Sequence, residues 1–349
     1  MKERQHWIDV CKGIAIILVV TGHVVTSYHN SGLYIDTPAF NGWGRVIYAF
    51  HMPLFFIVSG YLTKFSKAEN IIKRKLISYG IPYVVFSLLI VVLKILANRF
   101  VNNKLTILDF IKIIWFPITS LWFVYALLII SVLHYTVGSR IKTQGRVSES
   151  IYIVILFSIM LIAYYINDNK LFPNTILQDS ILIDCMMYAG WFELGAILPI
   201  ERIIKTSGEE SGKRRKKLLT SLLLFVAYIV FVLWWMQVEI DFAIISIILA
   251  LIGSLLIISI SSSMTGKEST FFEYLGRNTM PIYLLHAYVV SAMRILLSLL
   301  HLQDRYGIVP IVLITVGGIF ASLVIYNIIK RCKVIDFCFY PLKYMNQRQ

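Results

Sequence analysis

Charge is scarce in these 349 residues: Asp, Glu, Lys and Arg together make up 15%, against about a quarter in soluble chains. That excludes an ordinary water-soluble enzyme. Cysteine is scarcer still. Cys11, Cys185, Cys332 and Cys338 offer no C-x-x-C pair and no disulfide framework; three fall where a reducing cytoplasmic edge is expected, and all read as structural. The seven histidines never stand at ligand spacing with Cys or Asp, so no metal centre is expected. No phosphate-cradling glycine loop or dinucleotide fingerprint occurs, and no alternating strand pattern. Internal repeats are absent, as is low complexity beyond Ser207–Lys217, so residues 201–217 read as a mobile, basic cytoplasmic loop.

What is abundant is apolar surface: 58% of residues are hydrophobic and mean hydropathy is +0.75. It comes in nearly uncharged runs such as Ile14–Val20, Leu121–Leu133 and Phe242–Ile260. Spanning ~30 Å of hydrocarbon takes about 20 apolar residues in a helix. The chain supplies ten such segments: residues 13–29, 46–62, 76–97, 115–137, 150–167, 181–200, 218–237, 240–262, 280–300 and 307–329. The expected fold is therefore all-α, a polytopic membrane helix bundle forming a single integral membrane domain over residues 1–349. Gly13, Gly22, Pro53, Gly60 and Pro117 interrupt the first, second and fourth segments. Such breakers are tolerated where neighbouring helices or a water-filled cavity satisfy the backbone, so these spans are expected to line something.

Orientation follows from the cations. With a cytoplasmic N-terminus, 25 of the 33 Lys and Arg residues fall on the inner side, which puts both termini inside a cell membrane. Much of the +14 net charge is thus topological, and nucleic acid is not an expected partner. The first span lacks a cleavage site and reads as a retained signal anchor.

Few ionisable residues remain within the apolar mass, and these carry the functional argument. Lys12 and His23 are eleven positions apart, only ~20° from eclipsed on a helix and about 16 Å apart along it. Lys12 reads either as a snorkelling anchor paired with Asp9 or as a cation for an anionic ligand. His23 reads either as helix glue or as a proton-transfer group. His51 in FHMPLFFIVSGYL is equally open between packing and a site role. Lys73, Arg74 and Lys75 are topological charge or a grip for phosphate. Arg277, in LGRNTMPIYLLH, is expected at a helix N-terminus, where free N–H groups favour anions. His286 lies about 10 Å further in, as a core histidine or a ligand. Glu193 is expected to pair with a basic residue or to orient His23 or His286. Asp184 projects to the opposite side of the same helix and reads as a vestibule residue. Trp122 reads as an interfacial or packing residue.

Taken in order, WIDVCKGIAIILVVTGH, FHMPLFFIVSGYL, LWFVYALL, the aromatic sixth span and LGRNTMPIYLLH resemble the integral membrane acyltransferases of acyltransferase family 3. The likeness is to its stand-alone sugar O-acetyltransferases and runs over essentially the whole chain. It implies transfer of an acyl group, usually acetyl from cytosolic acetyl-CoA, to a hydroxyl of an envelope or secreted glycan. On that basis His23 corresponds to the family's essential histidine, Lys12 to its basic partner, and Arg74 with its neighbours to the basic motif of the third span. The family often has two arginines three residues apart there, whereas here Arg74 is followed by Ile77 and Ser78.

The residues and the resemblance lead to one expectation. Acyl-CoA, the co-substrate, docks its phosphates on Lys12, Arg74, Lys75 and Arg277. His23, with Glu193 in support, acts as general base or transient acyl carrier toward a glycan or lipid-linked saccharide. Asp9, His51, Asp184, His286 and Trp122 support the acceptor side. The alternatives are a transporter of a glycan or acylated precursor, which would share the broken helices and midplane His and Glu, and a purely structural assembly partner.

Overall fold

A computed structural model describes residues 6–30, 38–64, 70–96, 114–117, 120–169, 180–200, 211–238, 243–264, 266–300 and 309–345. Among them regular structure is entirely helical. Eight helices are long and apolar enough to cross a membrane. A shorter apolar helix, Leu219–Trp235, and the 17-residue helix Ile181–Ile197 stand at the two other positions where spans are expected. Large apolar side chains such as Val154, Ile162, Leu313, Phe320 and Ile328 remain exposed. In a membrane those faces meet lipid, so their exposure carries no penalty.

The described chain forms two compact units. The first comprises residues 1–58 and 198–328. It contains α1 (His6–Asn30), α2 (Pro38–Thr63) as far as Val58, α9 (Ser211–Val238), α10 (Ala243–Ser263), α11 (Lys267–Arg277), α12 (Thr279–Leu299) and most of α13 (Val309–Ile329). Here α1 lies against α10, α11 and α12. Its tightest neighbour is α11, and two glycines explain why: a Cβ on Gly13 would collide with the carbonyl oxygen of Phe272, and one on Gly276 with that of Asp9. The two backbones touch because neither glycine has a side chain. Gly266, at φ 74°, makes the turn between α10 and α11 in a conformation that glycine adopts without strain. Elsewhere α9 and α10 share a buried Ser221–Ser259 hydrogen bond of 2.8 Å, and Tyr228 of α9 donates to the Val46 carbonyl of α2 at 2.8 Å.

The second unit comprises residues 59–197 and 329–349. Its helices are α3 (Ile71–Lys75), α4 (Ile81–Leu96), α5 (Trp122–Leu133), α6 (Ser139–Thr143), α7 (Arg146–Asp168), α8 (Ile181–Ile197), α14 (Lys333–Phe339) and α15 (Pro341–Met345). Between α3 and α4 the chain runs through a π-helical turn, Leu76–Gly80, and between α5 and α6 through another, His134–Gly138. Trp191 of α8 donates its buried Nε1–H to the Tyr164 hydroxyl of α7 at 3.3 Å. The end of α2 also belongs here, where Gly60 lets the backbone abut the Phe192 carbonyl of α8.

Several expectations change. Gly13, Gly22, Pro53 and Gly60 do not break α1 or α2, which run continuously through them. The irregularities instead sit at the two π turns. The third span begins at Ile71, so Lys73, Arg74 and Lys75 lie inside its first turns rather than ahead of it. The fourth begins at Trp122 and continues through its π turn to Thr143. Residues 211–217, expected as loop, are helical and open α9, because Lys and Arg are good helix formers and extend the apolar helix behind them. Residues 201–210 of that expected loop lie outside the described residues.

Candidate functional site

In the first unit α1 carries Lys12 and His23 on one unbroken helix, which keeps the separation of about 16 Å that helical rise sets. Both side chains are half-buried. His23 is the more telling of the two, because the residues beside it, Gly22 and Val24, are buried while His23 itself is half-buried. The ring of His286, from α12, stands 4.9 Å away between centroids and tilted by 49°. His51 of α2 lies within electrostatic reach of the same imidazole. Three helices thus bring three histidines to one place.

The tautomers of two of them follow from their partners. His51 Nδ1 is 2.6 Å from the Ile47 carbonyl, and His286 Nδ1 is 2.7 Å from the Tyr283 carbonyl and 3.2 Å from that of Ile282. A carbonyl only accepts, so Nδ1 carries the proton in both rings and Nε2 carries the lone pair. His51 is further held edge-on by Tyr48 at 5.1 Å, whose hydroxyl shares a 2.6 Å hydrogen bond with Thr26 of α1.

Nearer the N-terminal end of α1 is a second cluster, built around two carboxylates and Arg277. Asp9, 3% exposed, meets Arg277 Nε at 3.4 Å. Arg277 also donates to Glu273 at 2.9 Å, and Glu273 meets His6 Nδ1 at 2.6 Å. The Arg277 position corrects the sequence reading: it occupies the last turn of α11, with Asn278 as the joint, rather than the start of α12. Two carboxylates offset its charge. As a result Arg277 clasps α11 to α1.

In the second unit Glu193 of α8 is 2% exposed and accepts the Nδ1–H of His134 at 2.7 Å. Tyr152 donates to the same oxygen at 3.3 Å. His134 opens the π turn of the fourth span; Gly138 closes it, and a Cβ there would stand 3.1 Å from both Glu193 Oε1 and the Tyr152 hydroxyl. The basic residue expected to partner Glu193 is therefore met by His134, which the sequence reading did not single out. Its signal was present: an imidazole inside a hydrophobic span is costly without a partner.

Arg74 is half-buried on α3 and Lys73 is exposed. Lys75 Nζ approaches the Tyr79 hydroxyl at 3.5 Å and lies 5.1 Å over its ring. Asp184, in the first turn of α8, is half-buried. Trp122 packs on Tyr188 at 5.1 Å between ring centroids, as a packing residue would. Among the described residues no group of His, Cys, Asp and Glu is arranged to hold a metal ion.

The chain matches the family described as "Acyltransferase domain" over residues 5–327. It is also 34% identical, over 136 residues, to nodulation protein NolL of Sinorhizobium fredii (strain NBRC 101917 / NGR234). That stretch covers 36% of this chain and 34% of that protein, so the chain spans about a third of the curated relative it matches. No solved structure matches. Because the family match takes in nearly the whole chain, including α1 with Lys12 and His23, this protein belongs to the acyltransferase family and carries its domain on a bundle with eight helices long and apolar enough to cross a membrane.

Proposed function

We propose that this acyltransferase moves an acetyl group from cytosolic acetyl-CoA to a hydroxyl of a cell-envelope or secreted polysaccharide or glycolipid. The observation that carries the reading is His23: a half-buried histidine among buried neighbours, 4.9 Å from the ring of His286 and on the same helix as the half-buried Lys12. A long acyl-CoA spans that distance, with phosphate on Lys12 and the thioester toward His23. Arg74 and Lys75 are assigned to the donor's phosphates on sequence grounds, and Arg277 contributes less because Asp9 and Glu273 already hold it.

In the reaction His23 takes the proton of the acceptor hydroxyl as the oxygen attacks the thioester carbonyl. The tetrahedral adduct collapses, the C–S bond breaks, and the departing CoA thiolate takes the proton back from His23. The products are an O-acetyl ester and CoA. Since a thioester is already activated, alignment of donor and acceptor away from water supplies much of the acceleration. The test is acetyl transfer from labelled acetyl-CoA in proteoliposomes bearing the host's surface glycan. His23→Ala is expected to lower turnover by a factor of roughly 10² or more, and unchanged turnover would refute the assignment.

A further inference from the structure

The mechanism above leaves a buried histidine beside His23 unused. His286 is fully enclosed, at 0% exposure, and its Nδ1–H is committed to two carbonyls of its own helix. That fixes the lone pair on Nε2, on the side of the ring away from the α12 backbone. Among the described residues no hydrogen-bond donor reaches that nitrogen. A buried acceptor left unmatched is costly, and a protein that needed only apolar filling at this position would be better served by Leu or Phe. The neighbouring ring is His23, at 4.9 Å.

We propose that His286 is a positioning residue for His23, a role that rests on His23 acting as the general base. When His23 takes the hydroxyl proton at one ring nitrogen, its other nitrogen also carries a proton, and the ring becomes a cation with two N–H groups. The second N–H is donated to Nε2 of His286. Because a neutral imidazole already carries that N–H, protonation does not create the donor; it makes the same N–H cationic and so a stronger donor to the lone pair that no donor reaches among the described residues of the resting protein. No proton is lost or gained by the pair: the hydroxyl proton enters at His23 and leaves with the CoA thiolate. An imidazole here does what a carboxylate does for the histidine of a hydrolase triad. Because it is neutral, it suits an apolar surrounding where a lone carboxylate would be expensive.

The experiment compares His286→Gln and His286→Leu in proteoliposomes with labelled acetyl-CoA. Gln offers a carbonyl oxygen near the place of Nε2, whereas Leu fills the space without a lone pair. The expected result is that Leu lowers kcat by roughly 10²-fold, that KM for acetyl-CoA stays within about twofold, and that Gln recovers to within about tenfold of the parent. Added to His23→Ala, His286→Leu is expected to cause no further loss, because the two residues act as a unit. Equal impairment by Gln and Leu would overturn the proposal, since the lone pair would then not be what matters; so would normal turnover in both, or a loss fully additive with that of His23→Ala. If Leu does not fold, His286→Asn serves in its place: its shorter amide fails to reach, so it should fall well below Gln, and parity with Gln would overturn the proposal. Normal turnover in His23→Ala alone would instead refute the reading of His23 as base.

Discussion

Substituting Gly276 by Ala places a methyl group against the backbone carbonyl of Asp9, with no side chain in the way to yield. Restoring ordinary van der Waals separation requires α1 and α11 to part by roughly 1–2 Å, which opens gaps on both sides of the new contact. Overpacking of this kind costs about 1–3 kcal/mol. In a unit of this size, each kcal/mol is worth roughly 2–4 °C. Gly276→Ala should therefore lower the midpoint of thermal unfolding in detergent by roughly 4–8 °C for a mid-range cost of ~2 kcal/mol. Gly13→Ala, which meets the Phe272 carbonyl, should behave alike. Gly22→Ala is the graded control: its methyl would stand 3.3 Å from the ring of Tyr48, a side chain able to shift, so the cost should stay below about 1 kcal/mol. Scan rate is held fixed, because unfolding of such proteins is commonly irreversible. If Gly22→Ala were as damaging as Gly276→Ala, or Gly276→Ala left the midpoint within about 1 °C, backbone contact between α1 and α11 would not be what holds them.

Other outcomes follow from the same geometry. Truncating either partner of the buried His134–Glu193 pair, as in Glu193→Leu or His134→Leu, should destabilise by about 1–3 kcal/mol, because it leaves the other group unmatched. The double substitution should cost less than the two single costs combined, as a double-mutant cycle in detergent would show. Lys12→Ala should raise KM for acetyl-CoA roughly tenfold, and Arg277→Ala by less than about threefold, since opposed carboxylates already offset its charge; the reverse order would refute the assignment. At the C-terminal end, the buried Asp336 accepts from Lys343 at 2.6 Å and Tyr344 at 2.7 Å. The hydrogen bond to Asp336 raises the Lys343 ammonium above its ordinary 10.5, so this clasp is fully present below that pH and is lost as pH rises beyond it. Lys343→Met should increase proteolytic cutting in residues 333–345 at pH 7, and no change would show that the clasp holds nothing.

Much of the architecture was legible in the residues because it depends on local quantities. Segments of about 20 apolar residues can only be helices in hydrocarbon, and helix repeat alone puts Lys12 and His23 on one face. The departures have local causes too. Glycine and proline were read as interruptions, but Gly13 and Gly60 mark close approach and Pro53 sits inside an unbroken α2, because helix neighbours supply what an isolated chain lacks.

What only the tertiary structure decided is which polar residues meet. His286 and His23 lie on different helices with most of the chain between them; Arg277 turns back to Asp9; Glu193 finds His134 across 59 positions. Rules of spacing within one helix say nothing about such pairs, since they arise from helices packing through small residues and from the cost of leaving a buried polar group unmatched. The sequence by itself determined an apolar helix bundle with a cation and an imidazole on its first helix, and the packing determined that this imidazole has a second one at its side.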